Sequence, residues 1–242
     1  MSAIHRAAAV GFARSAAAYE RGRPGYPDAA VDHLVAALPG TDVVDLAAGT
    51  GKLTRALVER GLDVVAVEPV AEMRAAIAAP ARVLDGTAEA IPLPAGSADG
   101  VTVGQAFHWF DGRRALAEIH RVLRPGGVLA LLWNRRRMQD EIHELLQALL
   151  APHRGSTPAH RDEHWRAELA DSPRFGALHE EVFANEQVLD AGGLADRIGS
   201  ISFVAALGDD ERRALLDEVR ALAADGPVTL RYDVELQLAT RS

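Results

Sequence analysis

One segment limits the folds open to this chain more than any other. Asp42–Leu46 (Asp-Val-Val-Asp-Leu) is a short β-branched run, residues 47–51 (Ala-Ala-Gly-Thr-Gly) carry no bulky side chain, and residues 52–60 set Leu53, Ala56 and Leu57 on one helical face. Gly61 then stops the helix, and a second apolar run occupies residues 62–67. Together these form a βαβ unit. Strands with so few polar positions must be buried on both faces, so the unit belongs to a parallel sheet with helices on both sides.

The alternation continues downstream. Residues 73–79 read as helix, 81–85 as a short strand, 100–105 as a strand and 113–123 as a helix, which Pro125-Gly126-Gly127 separates from the apolar strand 128–133. Five strands alternating with helices predict an α/β fold, mostly parallel, with right-handed crossovers. After Asn134 come Arg135, Arg136 and Arg137, a helix over 139–150 and a loop rich in Pro, His and Gly through Pro158, expected as a helical insertion. A strand at 181–188, a helix at 209–224 and a strand at 228–239 close the chain. In the last, Val228, Leu230, Tyr232, Val234, Leu236 and Leu238 alternate with polar residues, which suits an antiparallel strand. No internal repeat or long linker divides the 242 residues, so one domain is expected.

Composition narrows the partners. With 26 Lys and Arg against 34 Asp and Glu the net charge is −8, which repels phosphate backbones; a small-molecule substrate is expected and no nucleic acid. There is no cysteine, so thiolate nucleophiles, zinc ribbons and iron–sulfur clusters drop out together and a reducing cytoplasm is expected. His5, Arg6 and Arg14 interrupt the alanine-rich start, and no apolar run approaches the roughly 20 residues of a membrane helix; no membrane association is expected. A monomer or homodimer is expected.

The small-residue loop leaves backbone N–H groups at a helix start open to a ligand. It lacks the third glycine of Gly-x-Gly-x-x-Gly, since Lys52, Leu53 and Thr54 follow Gly51, and taken alone it equals the tight turn any βα unit needs. Glu68 adds to it: 23 residues after Asp45 and directly after the second strand, a carboxylate there suits a ribose diol, though an isolated acid at that place is also a plain solvated side chain. Two further motifs follow in order, Asp85-Gly86-Thr87-Ala88-Glu89-Ala90-Ile91-Pro92 and Ser97-Ala98-Asp99-Gly100 through Gln105-Ala106-Phe107-His108-Trp109-Phe110-Asp111.

With these four motifs the sequence resembles the class I S-adenosylmethionine-dependent methyltransferases, and among them the small-molecule branch of trans-aconitate methyltransferases, from Tyr19-x-x-x-Arg23-Pro24-x-Tyr26-Pro27 to the final strand. The resemblance implies a Rossmann-like doubly wound seven-stranded sheet with an antiparallel last strand. It also implies S-adenosyl-L-methionine as cofactor, with a helical cap (1–38), a cofactor core (41–134), a helical insertion (135–180) and C-terminal strands and helix (181–242). It places Asp45, Ala47, Gly49, Thr50 and Gly51 at the methionine part, Glu68 on the ribose, Met73 or Val70 against adenine, and Thr87, Ala88 and Glu89 along its polar edge. Gln105 and Ala106 would lie near the sulfonium, and Tyr19, Arg23 and Tyr26 would cap the cofactor, Arg23 at the methionine carboxylate. Ala47 stands where many relatives have glycine.

Methyl transfer from a sulfonium is an in-line displacement that needs alignment first. His108 is the candidate general base for a hydroxyl or amine acceptor, against the alternative of a structural loop histidine; a carboxylate acceptor needs none. Trp109 and Phe110 are candidate walls around the sulfonium or simply core aromatics. Trp133, Asn134 and Arg135 follow the fifth strand at the same sheet edge; Arg135 to Arg137 read as recognition of an acidic substrate or as a solvated basic run, and Ser200 and Phe203 as substrate wall. No histidine spacing suggests a metal, and none is expected. The expectation is a methyltransferase acting on a carboxylate, hydroxyl or amine. The alternatives are cyclisation or lysis of the same cofactor, a nicotinamide oxidoreductase, and a noncatalytic binding module.

Overall fold

A computed structural model describes residues 20–154 and 164–242; Tyr19 and His160 lie outside them. The strands β1 (Asp42–Leu46), β2 (Asp63–Val67), β3 (Arg82–Leu84), β4 (Ala98–Gly104), β5 (Leu123–Arg136), β6 (His179–Leu189) and β7 (Val228–Thr240) form one sheet in the order β3-β2-β1-β4-β5-β7-β6. Pairings β3–β2–β1–β4–β5 are all parallel, with Leu46 beside Val67 and Asp45 beside Thr102, and the sheet ends in the antiparallel C-terminal part expected from the alternation. This is the Rossmann-like doubly wound fold.

The described residues group into two compact units. The first holds 26–134, 164–183 and 234–242. Its strands feed two apolar layers because successive side chains of a strand point to opposite faces. Val44, Leu129, Leu131 and Trp133 enter one layer; Val43, Ala130 and Leu132 enter the other. Helix α1 (Asp28–Ala37) and α2 (Lys52–Val58) cover the second layer with Val31, Leu34, Leu53 and Leu57. After a short α3 (Ala71–Ala75), helix α4 (Gly112–Val122) covers the first layer with Ala115, Leu116, Ile119 and Val122, a helical spacing, and Asp111 caps it by accepting from the Arg114 N–H at 3.2 Å. At the amino ends of β1 and β4, Arg124 ties Asp42 (2.8 Å) to Asp99 (2.6 Å), leaving the carboxyl ends as the open edge.

The second unit holds 20–25, 135–154 and 184–233. Helices α5 (Glu141–Leu150), α7 (Ala191–Gly199), α8 (Ser202–Ala205) and α9 (Asp209–Ala221) bury Leu146, Leu150, Leu194, Ile198, Val204, Leu215 and Val219 against Leu230 and Tyr232. Asp190 caps α7, accepting from the Gly193 N–H at 2.7 Å. The stretch 135–180 contributes α5 here and α6 (His164–Ala170) to the first unit, where Leu169 joins the layer under α4. Among the described residues no helix is long and apolar enough to cross a membrane.

Three local expectations change. The helix expected over 73–79 is the single turn Ala71–Ala75. Strand β5 begins at Leu123, so Pro125-Gly126-Gly127 does not precede it. The triplet is an excursion inside it, exposed at Pro125 and Gly126 and buried at Gly127, with Ala98 paired to Leu123 and Gly100 to Val128 across an irregular register. Proline is tolerated there because the bulge asks for no ladder hydrogen bond from it. In β7 the inward alternation breaks at Gln237, which is fully buried because its side-chain amide donates to Glu180 at 2.8 Å, within a network where Arg166 holds Glu180 and Glu235.

The bulge generates a test. A Cβ on Gly127 would stand 2.9 Å from the Arg124 carbonyl oxygen and 3.0 Å from that of Asp99, both backbone atoms with no room to retreat. Gly127→Ala is expected to lower unfolding free energy by about 1–3 kcal/mol in chemical denaturation; an unchanged midpoint would show that the excursion tolerates a side chain.

Candidate active site

Three loops leave the carboxyl ends of β2, β1 and β4, neighbours in the sheet, where ligands of open α/β folds bind. The loop after β1 folds back sharply: Ala47 (φ 56°), Gly49 (φ 59°) and Gly51 (φ 83°) all adopt left-handed backbone, and Gly51 then starts α2. Two of the three are glycines, for which this conformation is free; Ala47 holds it at a cost of about 1–2 kcal/mol. The only other described non-glycine residue with positive φ is Gln105 (φ 61°), immediately after β4. Its N–H donates to the Leu132 carbonyl at 2.9 Å, which fixes the turn. Strain at non-glycine positions thus falls at the ends of two adjacent strands, the pattern of a built site.

Glu68, at the end of β2, is 5% exposed. Its Oε2 accepts from the Gly49 N–H and its Oε1 from the Val70 N–H, each at 2.8 Å, so one carboxylate binds the loop after β1 to the turn before α3. Burial pushes the Glu68 carboxyl above the usual glutamate range, while the two amides and Arg74 pull it back. Each oxygen retains a second lone pair, a bidentate acceptor suited to a vicinal diol.

Asp45 points elsewhere. It is 1% exposed, accepting from Thr54 Oγ1 at 2.6 Å and from Thr102 Oγ1 at 3.1 Å. Burial raises its pKa to about 6 against the hydroxyl bonds that lower it. It therefore fastens β1 to α2 and β4 beneath the loop. Thr54 and Thr102 were not singled out from the sequence; the available signal was a threonine within Val101-Thr102-Val103, an apolar strand, at the register position of Asp45.

The remaining predicted residues of this unit gather around these loops. Thr50 is buried, and a Cβ on Gly51 would come within 2.9 Å of Ile77. Met73 on α3 is buried; Thr87 bridges Ala90, Ala88 is buried, and Glu89 accepts from the Asp111 N–H at 3.0 Å, joining the loop after β3 to that after β4. The Tyr26 hydroxyl covers Gly104, where a Cβ would stand 2.5 Å from it. Ala106 packs on the core and its carbonyl opens the 3₁₀ turn Phe107–Trp109 by accepting from the Trp109 N–H at 2.9 Å. This turn holds the His108 ring between two indoles, centroids 4.6 Å from Trp109 and 5.5 Å from Trp133, while Phe107 is buried and lies 5.3 Å from Phe110. Among the described residues no three His, Asp or Glu side chains group as metal ligands.

Arg23, Arg135 to Arg137, Ser200 and Phe203 belong to the second unit. There Arg23 Nη2 donates to the Ser200 carbonyl at 3.0 Å, Arg137 pairs with Asp233 at 2.7 Å, and Phe203 packs on the helical core. The fully buried Ser200 gives its hydroxyl to the Arg197 carbonyl at 2.7 Å, so it presents no free hydroxyl to a substrate.

Comparison with known proteins matches residues 44–131 to a methyltransferase domain family. A Mycobacterium tuberculosis protein known as an uncharacterized methyltransferase is 43% identical over 235 residues, covering 94% of this chain and 91% of its own. A Schizosaccharomyces pombe methyltransferase-like protein is 34% identical, covering 86% and 85%. A solved structure assigned as a type II methyltransferase from Anaeromyxobacter dehalogenans superposes with a TM-score of 0.68 at 26% identity, covering 89% of this chain and 97% of that one.

Asp45 makes stability depend on pH in a defined direction. Its folded pKa of about 6 exceeds the ordinary 3.8, so the folded state holds the proton more tightly. The resulting stabilisation is complete below pH 3.8 and is lost as pH rises through 6. Between pH 4 and 7 the wild-type protein is expected to lose up to about 3 kcal/mol relative to Asp45→Asn; parallel pH profiles for the two proteins would refute the assignment.

Proposed function

Because this chain belongs to the class I S-adenosylmethionine-dependent methyltransferases, we propose that it transfers the methyl group to a small-molecule acceptor, a carboxylate, hydroxyl or amine, and that one domain built on the loops after β1, β2 and β4 does so. The observation that carries the site assignment is Glu68: a buried carboxylate at the end of β2, held by the Gly49 and Val70 amides, with an acceptor position left on each oxygen. That donor set fits the ribose of S-adenosylmethionine, and the glycines and alanines of the loop after β1 leave room for a ligand against the backbone.

When bound, S-adenosylmethionine supplies a methyl group on a sulfonium. In this reading Glu68 takes the two ribose hydroxyls, and the 47–51 loop borders the methionine part. Met73 and Val70 pack against adenine, with Thr87, Ala88 and Glu89 along its polar edge. Gln105 and Ala106 border the sulfonium, and Tyr26 closes over Gly104. Asp45 acts through Thr54 and Thr102 as a positioning residue that keeps the loop base rigid. His108 takes the proton of a hydroxyl or amine acceptor, its ring fixed by Trp109 and Trp133; with a carboxylate acceptor no proton moves. The negative net charge supports a small molecule over nucleic acid as the acceptor.

Two variants test this. Glu68→Ala is expected to weaken S-adenosylhomocysteine binding by about 10- to 100-fold in calorimetry, because it removes hydrogen bonds to a charged acceptor worth roughly 1.5–3 kcal/mol; unaltered affinity removes Glu68 from the site. His108→Ala is expected to lower kcat about 100-fold or more with a hydroxyl or amine acceptor while cofactor affinity stays within about threefold. A matched loss of affinity makes it a binding residue instead. Acceptor-dependent release of S-adenosylhomocysteine supports methyl transfer, whereas methylthioadenosine formed without any acceptor would overturn it in favour of cyclisation or lysis.

A further inference from the structure

Two arginines of the second unit stand apart from the ion pairs that its acids make. Asp196 pairs with Arg21 (2.6 Å), Asp233 with Arg137 (2.7 Å), Glu186 with Arg231 (3.0 Å) and Glu211 with His153 (2.7 Å); Asp140 lies 3.7 Å from Arg231. Arg136 and Arg197 have no acidic partner among the described residues. Arg197 is 5% exposed: its Nε donates to the Tyr232 hydroxyl at 3.1 Å, while its Nη1 is buried with no described acceptor. Arg136, at the end of β5, is half-buried, and β7 runs beside it: the Arg137 N–H donates to the Arg231 carbonyl at 3.1 Å, one residue from Tyr232. Burial together with the like charges of Arg197, Arg23 and Arg154 draws the Arg136 guanidinium down to about 10, still protonated at neutral pH. His143 is fully buried, and burial with the charges of Arg136 and Arg197 lowers its pKa against the opposing Arg231 carbonyl and Asp140, so it adds no further positive charge there.

Several guanidiniums sharing a desolvated region repel one another, and an arginine N–H without an acceptor forfeits its hydration without return. Such an arrangement is sustained when a ligand supplies the missing charge and acceptors, and the planar guanidinium matches an oxyanion in a fork of two hydrogen bonds. Tyr232 supports the geometry: fully buried, it accepts from Arg197 and donates to Gln187 at 3.4 Å, which fixes the guanidinium in place. Ser200 fixes the other side, its carbonyl accepting from Arg23 and its hydroxyl locked on the Arg197 carbonyl.

We propose that Arg136 and Arg197, braced by Tyr232 and Ser200, form a binding site for a small polyatomic oxyanion, a carboxylate or phosphate group of a metabolite. The site stands on the second unit alone and does not depend on the cofactor reading.

The test uses the full-length protein, with inorganic phosphate and succinate as separate probes at one ionic strength set with sodium chloride. Saturable binding of either probe in calorimetry, with a matching rise in melting temperature, is expected. Phosphate alone identifies a phosphoryl ligand, succinate alone a carboxylate. Arg136→Met is expected to weaken that binding at least tenfold yet leave the ligand-free melting temperature equal or higher, because it removes a repelled charge; a purely structural arginine would lower it. Arg136→Lys keeps the charge without the fork and is expected to bind several-fold more weakly than wild type, which keeps the question open to measurement if the methionine variant fails to fold. Absence of saturable binding of both probes by the wild-type protein, or equal binding by wild type and both variants, overturns the proposal.

Discussion

The Glu68 carboxylate is the joint on which the site geometry turns. Two backbone amides, from Gly49 on one loop and Val70 on the next, converge on its two oxygens. Charge-assisted bonds of this kind are short and strong, and in a buried setting they hold two otherwise independent loops in one register. The left-handed turns at Ala47, Gly49 and Gly51 bring the Gly49 N–H to that position, so the backbone cost at Ala47 is offset in part by the bond it permits. Beside this clasp, the loop after β1 is also tied to the sheet by the Ala48 N–H on the Val67 carbonyl at 3.2 Å.

Beneath the loop, buried polarity is arranged for rigidity. Asp45, Thr54 and Thr102 link a strand, a helix and a neighbouring strand, and every described bond of the carboxylate is internal. Burying a carboxyl without an adjacent cation is costly, which is why Asp45 titrates near 6 and not near 4. Around His108 the same end is served by packing, with two indoles setting the ring's attitude. The catalytic demand of in-line displacement is alignment, and these are alignment devices.

Much of this was legible in the residues. Short continuous apolar runs and the small-residue loop identified β1, α2 and β2 within one or two residues, because a doubly covered strand leaves a continuous apolar run and a helix leaves a 3.6-residue period. Glu68 was legible from its position after β2. The bulge at Pro125-Gly126-Gly127 was not, since proline and glycine signal a break equally well before a strand and within it. The inward turn of Gln237 was hidden for a related reason: alternation assigns a polar residue to the outer face, and only a partner 57 positions away, Glu180, makes burial acceptable.

The sequence by itself determined the α/β class, the strand boundaries near the site and the chemical types at the loop, because these follow from local periodicity and from backbone freedom at glycine. Only tertiary structure decided which polar group meets which. Asp45 faces two threonines, Glu68 faces two amides, and Arg136 and Arg197 have no acidic partner among the described residues. Those pairings join residues far apart in sequence, and their energies depend on burial, which no local pattern encodes.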